Sequence, residues 1–64
     1  MKKQYVISSV SNNQKVYYLQ EYACFTAKFK TYYTNKKAVK EALKYAKKCA
    51  GTQEILNNLQ IEEY

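Results

Sequence analysis

The chain has 64 residues, 47% of them hydrophobic, with one glycine, no proline, no histidine, no arginine and a formal net charge of +6. That length makes one domain, 1–64, and that composition excludes a disordered chain or a low-complexity linker. Without histidine or aspartate, the Ser/His and Cys/His catalytic pairs, the common zinc ligand sets and the glycine-rich phosphate loops are excluded as well, so the chain is expected to be no enzyme and to hold no cofactor and no metal.

Residues 4–10 are rich in β-formers and read as a first strand. The residues after the initial Met-Lys-Lys are too few and too polar for a secretory leader or a membrane span, so the cytoplasm is the expected setting. In that setting Cys24 and Cys49 are expected as reduced thiols without a disulfide between them. Residues 11–14 form a turn, its two asparagines able to take left-handed geometry. Residues 15–22 form a second strand, with Val16 and Tyr18 on one side and Tyr17 and Leu19 on the other, paired with the first as a hairpin.

Residues 25–33 alternate. Phe25, Ala27, Phe29, Thr31 and Tyr33 face one way, and Thr26, Lys28, Lys30 and Tyr32 the other, as in a half-buried antiparallel strand. The link at 21–24 has no Gly, Pro or Asn, and both a turn and a bend in one long strand fit it.

Thr34 then suits a helix N-cap and Gly51 a left-handed C-cap. Between them Ala38, Val39, Ala42, Leu43, Tyr45, Ala46, Cys49 and Ala50 lie on one arc, while Lys36, Lys37, Lys40, Lys44, Lys47 and Lys48 lie on the opposite one. An extra helical turn at 54–56 and a closing edge strand over 59–64 complete the pattern. The expected fold is α+β, a three-stranded antiparallel sheet packed on one amphipathic helix with a short fourth strand (βββαβ). Phe25, Phe29, Leu43 and Ala46 are expected to be buried together.

Two basic surfaces follow from this arrangement. On the outer sheet face, Lys28 and Lys30 flank Tyr32, with Tyr17 and Tyr22 nearby depending on register. These are the candidate partner-binding residues, because charge is combined there with an aromatic anchor. The six helix lysines form a second basic face. Lysines contact phosphates as point charges, and without arginine the bidentate reading of guanine is missing, so nucleic acid would be held electrostatically with weak sequence preference.

The order YVISSV, KVYYLQEY, FTAKFKTYYTNKKAVKEALKYAKK and LQIEEY resembles small orphan proteins of phages and mobile elements of low-GC Gram-positive bacteria, over nearly the whole chain. Some of those are anti-defence proteins, anti-CRISPR inhibitors among them. The resemblance implies a non-enzymatic protein that blocks a host protein, such as a nucleic-acid-binding defence complex, by steric occlusion. FKTYYTNKKAVKEAL is also similar to the strand-to-helix junction of the arm-type DNA-binding domain of tyrosine integrases, which implies the alternative of a sheet-face DNA-binding module. The lack of arginine and the extra last strand depart from that family.

Overall fold

Two asparagines set the first hairpin. In the computed structural model, which describes residues 3–63, Asn12 and Asn13 have φ of 54° and 64°. Left-handed geometry at both positions is what a two-residue turn matched to the twist of its strands requires. The turn joins β1 (Tyr5–Ser11) to β2 (Gln14–Leu19) in a register that runs from Ser11↔Gln14 to Ser8↔Tyr17. A single 3-10 turn at Gln20–Tyr22 follows, and β3 (Cys24–Thr26) returns antiparallel beside β2. Helix α1 (Lys36–Cys49), the short helix α2 (Gln53–Asn57) and β4 (Gln60–Glu63) complete the chain. β4 pairs with β1, so the sheet order is β3-β2-β1-β4 and the fold is the α+β arrangement expected. Tyr64, the last residue of the expected edge strand, lies outside the described residues.

The link at 21–24 is a turn. It closes with Ala23 in the left-handed region, φ 50° and ψ 46°, its N–H donating to the Gln20 carbonyl. An L-residue with a Cβ pays roughly 1–2 kcal/mol there. Ala23→Gly relieves that strain at some cost in chain entropy, so a net gain of about 1 kcal/mol is expected in a denaturant melt. An unchanged or lowered midpoint would count against a strained turn.

The alternating stretch 25–33 is not one strand. β3 stops at Thr26, and the second strand likewise stops at Leu19 instead of reaching Tyr22. Because β2 turns away after Leu19, the place beside the start of β1 is empty, and residues 31–33 fill it. Tyr33 and Tyr5 exchange both backbone hydrogen bonds at 2.8 Å, and the Thr31 N–H donates to the Tyr18 carbonyl. The one alternating pattern thus serves two pairings, one on each side of β2. The intervening segment carries Phe29, which is 63% exposed and not in the core as expected.

Helix α1 covers the sheet face that presents Tyr5, Ile7 and Tyr18. Val39, Ala42 and Ala46 are buried against it, while Phe25, Leu43 and Cys49 are packed at its margin. Tyr45, placed on the inner arc by sequence, is 63% exposed. It lies at the edge of the apolar stripe, where a large ring is easier to leave in solvent than to fit beside the sheet. The helix cap is Asn35 and not Thr34: Asn35 Oδ1 accepts the Ala38 N–H at 2.7 Å. At the other end Gly51 has no positive φ. Ala50 is extended there, and the chain passes straight to Thr52, whose hydroxyl caps α2 by accepting the Ile55 N–H.

β1 is buried on both faces, and its two buried hydroxyls are both satisfied. Ser9 donates to the Ile55 carbonyl at 2.5 Å and ties α2 to the sheet; Ser8 donates to the Glu62 carboxylate on the other face. Among the described residues no helix is long and apolar enough to cross a membrane.

Candidate binding groove

The alanines of α1 shape the surface. Ala38 and Ala42 face the sheet one helical turn apart and reach only a short way toward it. The rings of Tyr18 and Tyr33 rise from the sheet opposite but do not fill the gap. What remains is a preformed groove of about 780 Å³, walled by α1 on one side and by Gln20 and Ala23 on the other. On the floor, the Tyr33 hydroxyl donates to Gln20 Oε1 at 2.7 Å, and the Tyr18 hydroxyl lies 4.0 Å from Cys49 Sγ. Both cysteines are free thiols, Cys49 half-buried and Cys24 exposed.

Burial, together with the neighbouring Tyr18, pushes the Tyr33 hydroxyl up to about 12. Burial and the contact with Cys49 push Tyr18 up in the same direction. Both phenols are therefore protonated at neutral pH. The Tyr33 hydroxyl acts as a hydrogen-bond donor on the floor of a largely apolar groove.

The rim is charged and aromatic. Glu41, Tyr45 and Lys48 border the groove and, with Lys44, line a second hollow of about 330 Å³ beside it. Across the groove, the turn at Gln20–Tyr22 presents Tyr22, which is 74% exposed. Lys36, Lys37, Lys40, Lys44, Lys47 and Lys48 are all exposed, and among the described residues none is in an ion pair.

No family model, curated protein or solved structure matches this chain.

The residues singled out on the outer sheet face are only partly assembled. Lys30 and Tyr17 meet, with the ammonium 4.2 Å from the ring centroid, and Lys15 approaches the same ring at 5.7 Å. Lys28 is exposed at the bend after β3, its N–H donating to Thr26 Oγ1, and Tyr32 is 46% exposed in the irregular segment before Tyr33. Lys15 pairs with Glu62 at 2.6 Å, and Lys3 pairs with Glu63 at 3.2 Å. Much of the sheet's positive charge is thus engaged within the chain, whereas among the described residues the helix lysines form no ion pair, and Lys48 lies 6.0 Å from the centroid of the Tyr45 ring.

Glu62 is held below the usual carboxylate value of 4.5, first by Lys15 and then by the Ser8 hydroxyl. A carboxylate depressed in the folded state adds stability that is complete above its unfolded value and is lost as pH falls through the lower folded one. Wild-type stability is therefore expected to drop as pH falls from about 4.5, and Glu62→Gln to flatten that slope while lowering stability at pH 7. Equal slopes in acid melts of the two proteins would show that the pair contributes nothing.

Sequence reasoning missed the groove. Its signal was present in the i, i+4 alanines at 38, 42 and 46, a stripe too small to fill the space opposite two tyrosines. Which tyrosines stood opposite depended on the split of residues 25–33, which the alternation hid.

Proposed function

We propose that this chain is a non-enzymatic binding protein that acts by covering part of a partner protein, as the resemblance to small phage-borne inhibitors of host proteins implies. The observation that carries this reading is the preformed, largely apolar groove bordered by exposed Tyr45 and by the turn that carries Tyr22. A groove in this size range with a few convergent polar groups is the usual form of a binding site. Exposed tyrosines supply large, stiff contact area of the kind that anchors protein interfaces.

DNA binding is the second reading, supported by the row of exposed lysines on α1 that form no ion pair among the described residues. That attraction would be chiefly electrostatic and steeply dependent on salt.

A gel shift with a short DNA duplex, run beside affinity capture from host lysate, separates the two. The first reading expects no shift at about 200 mM salt. It also expects a stoichiometric host protein that is captured by the wild type and lost with the Tyr22→Ser/Tyr45→Ser double variant. Duplex binding that is tight at about 50 mM salt and collapses by about 200 mM, with no protein retained, overturns it in favour of DNA.

A further inference from the structure

Groove and hollow are contiguous but differ in chemistry. The groove is apolar, walled by Ala38 and Ala42 over the Tyr33 ring; the hollow is lined by Glu41, Lys44, Tyr45 and Lys48. Glu41, Tyr45 and Lys48 border both. A ligand suited to the pair carries a large apolar group for the first and, a few ångströms along, a negative charge for the second. A row of exposed lysines that form no ion pair among the described residues continues along α1 from the hollow, and the rim carboxylate, Glu41, is outnumbered by them. Charge complementarity therefore selects an acidic partner.

Resting on the reading that the partner is a protein, we infer that the groove takes an aromatic or large aliphatic side chain from an acidic segment of that partner, with a neighbouring Asp or Glu carboxylate set against Lys44 and Lys48. Three features of the groove suit an anchoring side chain with its backbone attached. The groove is open along one side, so a chain can enter and leave it. The Gln20 side chain accepts from the Tyr33 hydroxyl through Oε1, which leaves its amide N–H group to donate to a backbone carbonyl of the segment. The exposed Tyr45 ring stands between the two compartments and covers the stretch of chain that joins anchor and carboxylate. An apolar group that leaves water in a preformed groove supplies affinity, and the lysines supply orientation and rate of encounter.

The test is selection of a random linear peptide library on the intact chain, followed by affinity measurements on the enriched peptides. Two variants are used. Ala38→Leu extends a side chain into the groove from a helix position where Leu is well tolerated. Lys44→Glu/Lys48→Glu reverses the charge of the hollow at exposed positions where folding is not at stake. The enriched peptides are expected to share Phe, Trp, Leu or Met within a few residues of Asp or Glu. Ala38→Leu is expected to weaken them by at least about tenfold, and the charge reversal likewise, with the second loss shrinking at high salt.

Peptides that bind but are indifferent to Ala38→Leu and to the charge reversal overturn the groove assignment while leaving a protein partner standing. Enriched peptides without acidic residues overturn the acidic partner. If no peptide is enriched, or if a short DNA duplex binds more tightly than every selected peptide and is released by the charge reversal, both the inference and the reading beneath it fail.

Discussion

Replacing Ile7 by Ala is expected to remove about 2–5 kcal/mol of stability, a large share of what a domain this size possesses. Ile7 is fully buried in the core cluster that also holds Tyr5, Tyr18 and Val39. It lies opposite Ile61 of β4, so its side chain is bounded by strand on one side and by α1 above. Truncation leaves a cavity that cannot collapse without moving the helix or an edge strand. At about 0.05–0.15 kcal/mol per residue the whole domain holds roughly 3–10 kcal/mol, and the variant is expected to unfold at a much lower denaturant concentration than the wild type. Leu43→Ala provides the comparison. Leu43 is only partly buried at the margin of the same cluster, and about 1–2 kcal/mol is expected there. Denaturant melts of the two variants check the ordering. Equal losses would mean that the core is centred on the helix margin and not on β1.

The contrast between those two residues shows what was legible from sequence. The helix face was readable because lysines and alanines separate at a period of 3.6 residues, and that pattern does not depend on which strands lie beneath. The first hairpin was readable because two adjacent asparagines tolerate left-handed geometry at low cost. The depth of burial along the helix was harder to read. Leu43 and Tyr45 belong to the apolar arc by angle, but they lie at its two borders, and Val39, Ala42 and Ala46 between them take the deepest positions.

Strand identity within 25–33 was hidden for a different reason. Period-two alternation reports that a segment is extended with distinct faces; it does not report which neighbour it pairs with. Here β2 leaves the sheet after Leu19 through a strained Ala23 turn, and the same alternating run pairs first with one edge of β2 and then beside β1. Phe29 lies between the two pairings and is exposed for that reason. The groove inherits the same blindness, since its floor is Tyr33, a residue whose place is set by the second pairing.

That second pairing gives the other large expectation. Tyr33 joins three parts of the molecule: its backbone exchanges two hydrogen bonds with Tyr5, its ring lies in the core, and its hydroxyl donates to Gln20 beside the strained turn. Tyr33→Ala keeps the backbone bonds but empties the ring's place, and about 3–5 kcal/mol is expected to be lost, with the groove floor opened. Tyr33→Phe removes one hydrogen bond and leaves its acceptor on an exposed glutamine that water can reach, so the loss at pH 7 is expected to be small, about 0.5–1 kcal/mol. In alkali the gap between wild type and Tyr33→Phe is expected to narrow. The hydroxyl is raised from 10.0 to about 12 on folding. Its contribution is therefore complete below pH 10 and is lost as pH rises toward 12, when the unfolded chain ionises and the folded one resists. Tyr33→Phe has no such group, and its stability is expected to fall less steeply over that range, narrowing or crossing the gap to wild type. Melts of wild type, Tyr33→Phe and Tyr33→Ala at neutral and alkaline pH measure both effects. Parallel alkaline slopes for wild type and Tyr33→Phe would show that the phenol is solvated in the folded chain, and the floor of the groove would then be wetter than its geometry indicates.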